Sequence, residues 1–193
     1  MVGKRYDFCI GTTNSGLKKT VTTILAGAGF YSTGDGNNIP VFLRTIRSVQ
    51  PWLAVVDTGL PPGNIRELAS IIESDGLAAA LYLNTGEPFP GDHVQLNWPV
   101  EAEVLTAVAR AVCSEFIHKK NLQKKVENLQ RKLNERKQIE KAKGMLSRQL
   151  LMNEEEAYRF LQKNSMAARI TLFEMADRII NDPGYLSSFL RLR

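Results

Sequence analysis

Residues 51–63 read PWLAVVDTGLPPG. A short apolar run, Leu53–Val56, ends in Asp57 and passes into a turn rich in glycine and proline. Continuous apolar character over so few residues, closed by such a turn, is the pattern of a strand buried on both faces. The same alternation continues outward in both directions. Tyr6–Gly11, a weaker run near Tyr31–Thr33, Ala79–Leu83 and Val94–Leu96 read as further strands. Gly16–Ala28, Ile39–Ser48, Asn64–Ser74 and Ala102–Ile117 carry apolar residues at helical spacing. Strands alternating with helices predict an α/β domain over residues 1–117, a flavodoxin-like, doubly wound parallel sheet. Ligands in such folds lie beyond the carboxyl ends of the strands, so the informative loops are 12–15, 57–63, 84–90 and 97–99. Gly34-Asp35-Gly36-Asn37-Asn38 reads as a flexible turn without the spacing of a phosphate-cradling loop.

Composition narrows the class. The chain has 193 residues, 44% hydrophobic and 23% charged, ordinary values for a globular protein with a buried core. Its longest apolar run, Leu77–Leu83, is far short of the roughly 20 residues that span a membrane, and the N-terminus lacks the apolar stretch of a signal peptide. Cys9 and Cys113 offer neither a disulfide framework nor zinc-ligand spacing, which points to a reducing, cytoplasmic setting. His93 and His118 read as surface or packing residues, and no metal cluster, nucleophile or acid–base pair emerges, so an enzyme is the weakest reading and no catalytic residue is assigned. Charge is uneven: residues 1–114 hold eight Lys/Arg against ten Asp/Glu, whereas residues 115–193 hold seventeen against ten. A basic back half suggests a polyanionic partner, and a helix-rich tail with solvated lysines is the plainer alternative.

The segment around Asp57 resembles the phosphoacceptor segment of response-regulator receiver domains, and five strand–helix units over about 115 residues would fit that family. The resemblance implies Asp57 as phosphoacceptor, an acidic pair on the first loop for magnesium, a hydroxyl after the fourth strand and a lysine after the fifth. Here Thr12 and Thr13 stand at the acidic pair, Asn84 at the hydroxyl with Thr85 beside it, and Trp98 at the lysine before Pro99. Little remains to hold magnesium or balance a phosphoryl group, so the front half reads as a pseudo-receiver without a cofactor. Asp57 then either caps local backbone N–H groups or persists without a role. Trp98 either fills the space of the lysine or presents a docking surface, while Trp52 reads as packing where its strand begins.

Beyond Ala102 the pattern stays helical, without Pro or Gly until Gly144. Leu122, Val126, Leu129 and Leu133, spaced four, three and four, form the seam of a coiled coil over two heptads. Residues 118–138 therefore read as a dimerisation linker, with a single amphipathic helix as the alternative. Residues 139–193 read as a small bundle of three helices. The first runs through Ile139, Ala142, Met145, Leu146 and Leu150. The second starts at Asn153 with Glu156 as capping-box partner, and the third at Thr171 with Glu174. Asn181-Asp182-Pro183-Gly184 stops the third. Gly144 reads as a point of close approach, and Ala142, Ala157 and Ala176 as tight packing.

Ala142-Lys143-Gly144-Met145-Leu146, Glu156-Ala157-Tyr158, Leu161, Ser165-Met166, Leu172 and Ala176 together resemble the ANTAR domain, the helical RNA-binding module of bacterial antiterminators. Ser165 replaces a usual alanine and Arg169 a common asparagine. The resemblance implies a dimer in which each chain takes one hairpin of a paired leader RNA, so that a terminator cannot form. It also implies control by a sensor kinase or by a ligand-sensing protein that sequesters the chain. RNA loops are read by stacking on rings and guanidinium planes and by bonding to base edges. Candidate contacts are therefore Gln138 for a base edge, Lys141, Lys143, Arg148, Arg159 and Arg169 for phosphates or bases, and Tyr158 for stacking. Two rivals stay open at this point. A DNA-binding response regulator is disfavoured because neither bundle turn contains the glycine usual before a recognition helix. A protein-interaction adaptor would bind no nucleic acid.

Overall fold

The computed structural model describes residues 6–86, 90–182 and 185. The Pro183-Gly184 stop signal, part of the 84–90 loop and most of the chain after 182 lie outside them.

Five strands, β1 (Tyr6–Gly11), β2 (Phe30–Gly36), β3 (Leu53–Asp57), β4 (Ala79–Asn84) and β5 (Gln95–Asn97), form one parallel sheet in the order β2-β1-β3-β4-β5. Alternation along the strands sends Phe8, Ile10, Leu53, Val55, Leu81 and Leu83 to one face. There they meet α1 (Ser15–Gly27) and Leu105, Ala109 and Cys113 from the start of α4 (Ala102–Leu150). Cys9, Ala54, Val56 and Tyr82 face the other way, onto α2 (Ile39–Val49) and α3 (Ile65–Ser74). All five residues of β3 are buried, as its unbroken apolar run requires. Burial also pushes both thiols up, that of Cys113 to about 12, so neither is a thiolate near neutrality.

Two expectations need correction. Gly34-Asp35-Gly36 does not form a flexible turn but ends β2, which runs beyond Tyr31–Thr33 in both directions. Its glycines serve packing. A Cβ on Gly36 would stand 2.6 Å from the Phe42 backbone and one on Gly34 2.5 Å from Thr45 Cγ2, so α2 lies on β2 only because both side chains are absent. The fourth strand–helix unit is also incomplete. Among the described residues no helix separates β4 from β5, and the connection closes over Tyr82 with the His93 ring, at 5.5 Å between ring centres.

The chain divides at Lys120/Asn121 into two compact units, three residues beyond the expected boundary, and α4 runs unbroken through the division. In the second unit, α5 (Glu154–Ala168) and α6 (Leu172–Asn181) join the C-terminal part of α4. Ala142, Leu146, Leu150, Ala157, Leu161, Met175, Ala176 and Ile179 form their common core. Both expected capping boxes are present: Asn153 with Glu156 and Thr171 with Glu174 each exchange side-chain and backbone bonds.

Candidate functional site

The sheet reverses direction of growth between β1 and β3, and Asp57 ends β3 at that point. Its side chain is almost fully buried, at 3% exposure, and both oxygens are occupied. Thr12 Oγ1 donates to Oδ2 at 2.7 Å, Thr85 Oγ1 to Oδ1 at 2.7 Å, and the Gly59 N–H to Oδ1 at 2.9 Å. The hydroxyl that reaches Asp57 therefore belongs to Thr85. Asn84, expected at that position, points its amide instead to Gln95 and Asn97. These donors do not suit magnesium. Thr12 and Thr85 aim hydrogens at the carboxylate, where an ion would need further oxygens free of protons. No group of three His, Cys, Asp or Glu residues able to hold a metal occurs among the described residues. Trp98, in place of the lysine, is partly buried against the core of the first unit, which matches the space-filling alternative.

In the stretch expected as a coil, Leu122, Val126, Leu129 and Leu133 are 47%, 51%, 66% and 54% exposed. Four apolar side chains at heptad positions thus face solvent along one stripe of α4, flanked by charged residues including the Arg131–Glu135 pair.

The expected RNA contacts fall into two groups. Lys141, Arg148, Tyr158, Arg159 and Arg169 are exposed. Arg159 touches only Glu155, an open i,i+4 pair at 2.6 Å, and such pairs contribute about 0–1 kcal/mol and exchange readily. Arg148 folds back on α4, its Nε donating to the Gly144 carbonyl. Arg169 caps the C-terminus of α5 in the left-handed region, at φ 55° and ψ 40°. Asparagine tolerates that conformation better than arginine, so the departure from the family's usual residue has a conformational cost. Ser165, the other departure, is buried and its hydroxyl bonds the Gln162 carbonyl.

Gln138 and Lys143 differ from these. Gln138 is half-buried, and its Oε1 has no hydrogen-bond partner among the described residues. Lys143, expected as an open cation, is only 8% exposed. Its ammonium donates to Glu154 Oε1 at 2.7 Å and to both Glu140 oxygens at 3.0 and 3.1 Å. These bonds, to Glu154 first and Glu140 next, push its pKa up and hold the Glu154 carboxyl below its ordinary value. The sequence groups Lys143 with Lys141 and Arg148 as cations of one helix. The signal for its burial was the neighbouring core alanine, Ala142, together with Glu140 three residues earlier. Among the described residues Gly144 marks no tight contact, since a Cβ there would meet only Arg148 Nη2 at 3.7 Å.

Residues 127–180 match the family model of the ANTAR domain. The structure resembles NtrX from Brucella abortus, at 18% identity and TM-score 0.52, over 65% of this chain and 29% of that one. It also resembles the signal receiver domain of an HD domain-containing protein from Pseudomonas fluorescens Pf-5, at 15% identity and TM-score 0.55, over 63% and 96%. A two-component response regulator of the LuxR family from Aurantimonas sp. SI85-9A1 matches at 16% and 0.52, over 58% and 87%. At these identities the likeness establishes the fold of the front unit. Comparison with curated proteins gave no significant match.

Proposed function

We propose that this chain, a receiver-type fold followed by a segment that matches the ANTAR domain, is an antitermination regulator acting as a dimer on paired RNA hairpins. The match of residues 127–180 to the ANTAR domain carries this reading, and the exposed chemistry of the same unit supports it. Lys141, Arg148, Arg159 and Arg169 supply cations for phosphates or bases, and Tyr158, 44% exposed, supplies a ring for a splayed base. The open seam of Leu122, Val126, Leu129 and Leu133 would pair with the same seam of a second chain, so that two RNA-binding units act together. No covalent step is needed. Binding one RNA conformer shifts the folding equilibrium away from the terminator by the difference in affinity.

The front unit would act by contact rather than by phosphotransfer. Asp57 accepts bonds from Thr12, Thr85 and Gly59, and Trp98 stands at the position of the charge-balancing lysine. A partner protein, either a kinase-type sensor or a ligand-sensing protein that masks the seam, would then set the supply of dimers.

The test is competition between RNA and DNA. The full chain is titrated with a two-hairpin RNA, selected from a pool randomised in both loops, against duplex DNA at two salt concentrations. RNA-selective binding that weakens with salt is expected. Preference for duplex DNA would replace this reading with a DNA-binding regulator, and binding to neither would replace it with a protein-interaction adaptor.

A further inference from the structure

Lys143 is the least exposed cation among the described residues of the second unit. Its side chain is 10% exposed, against 75% for Arg159. An ammonium has three hydrogens to donate, and here three carboxylate oxygens take them: two from Glu140, one turn earlier on α4, and one from Glu154, the first residue of α5. An RNA phosphate would have to displace two negative groups to reach it. The cluster instead joins two elements. Between Leu150 and Glu154 the chain turns through Leu151, which holds a positive φ of 53° and is 88% exposed, while Met152 after it packs on the bundle core. The contact Lys143–Glu154 spans that turn and links the first residue of α5, whose side chain is 79% exposed, to α4, beside the core contacts of Ala157 and Leu161. Tyr158 follows Glu154 by one helical turn, and Lys141 and Arg148, seven residues apart, share a face of α4 on the other side from Lys143.

We propose that Glu140, Lys143 and Glu154 form a clasp that positions the α5 groups relative to the α4 groups, and that Lys143 acts on RNA binding only through this clasp. The proposal rests on the RNA-binding reading above, and it makes Glu154, a negative residue, a requirement for binding a polyanion. The two roles for Lys143 predict opposite signs for Glu154→Gln. If Lys143 touched RNA, releasing it from Glu154 and removing a negative charge would strengthen binding. If the clasp positions α5, the same change weakens it.

The experiment compares the full wild-type chain with Glu154→Gln, Lys143→Met, the double variant and Lys141→Ala. Affinity for the selected two-hairpin RNA is measured over a range of salt, and each variant is also unfolded in urea. Glu154→Gln is expected to bind roughly tenfold more weakly, with the wild-type salt slope retained. The double variant should be no weaker than Lys143→Met, and Lys141→Ala should show a shallower slope by about one. Unchanged or tighter binding by Glu154→Gln overturns the proposal, as does a shallower slope for Lys143→Met. Should the wild-type chain bind no RNA, the RNA-binding reading fails and the unfolding cycle decides the clasp. Strong coupling between positions 143 and 154 supports it, and additive effects overturn it.

Discussion

Asp57 sits beneath three donors, and its surroundings argue for a tether among loops. Thr12 follows β1, Gly59 lies just beyond β3, and Thr85 follows β4, so a single carboxylate joins the ends of three strands. Asp57→Ala leaves the buried Thr12 hydroxyl without its acceptor, and a donor stranded in this way costs about 1–3 kcal/mol. We expect a lower urea midpoint for Asp57→Ala, a smaller loss for Asp57→Asn, and no mass increase at Asp57 after incubation with an acyl phosphate. Labelling removed by Asp57→Ala would contradict this account of the front unit. Arg169 is the counterpart in the second unit. A left-handed arginine is conformationally costly, whereas asparagine accommodates that geometry. Arg169→Asn should therefore raise the unfolding midpoint while weakening RNA binding and reducing its salt slope by about one.

At the scale of elements, the bundle gains stability from its helix starts. The Glu174 carboxyl is held down by the Thr171 N–H and then by its hydroxyl, and that of Glu154 by Lys143. Groups whose pKa is lowered on folding stabilise above their unfolded value and lose that stabilisation as pH falls through the folded one. Lys143, raised on folding, stabilises below its unfolded value and loses this as pH rises through the raised one. Thermal unfolding of the bundle should therefore be flat around neutrality, fall once pH drops below about 4.5, the ordinary glutamate value, and fall again above about 10.5. Glu154→Gln should flatten both limbs. Elements were legible in the sequence where one local cause decides them. β3 follows from its unbroken apolar run, and α5 and α6 from their capping boxes. What was not legible depends on contacts across the chain. The end of β2 is a strand because α2 needs Gly34 and Gly36 for close approach, and nothing within residues 34–38 announces Thr45 or Phe42. The partner of Asp57 was displaced by one residue, because strand alternation turns Asn84 toward β5 and leaves the hydroxyl to Thr85.

The chain joins a receiver fold, in which Thr12, Thr13 and Trp98 stand at the acidic-pair and lysine positions, to a helical unit with exposed cations, through one continuous helix that carries an exposed apolar stripe. Two heptads are a short coil, and isolated helices of that length are marginal, so dimerisation would respond to modest contacts from a partner or from RNA itself. Pairing of two units on one transcript would then gain from effective concentration. The most direct test of this account is the mass of the complex between the full chain and the two-hairpin RNA, measured by sedimentation for the wild type and for Val126→Glu/Leu129→Glu. The account predicts two chains on each wild-type RNA and a large loss of affinity in the seam variant. One chain per RNA, bound equally well by both proteins, would contradict it.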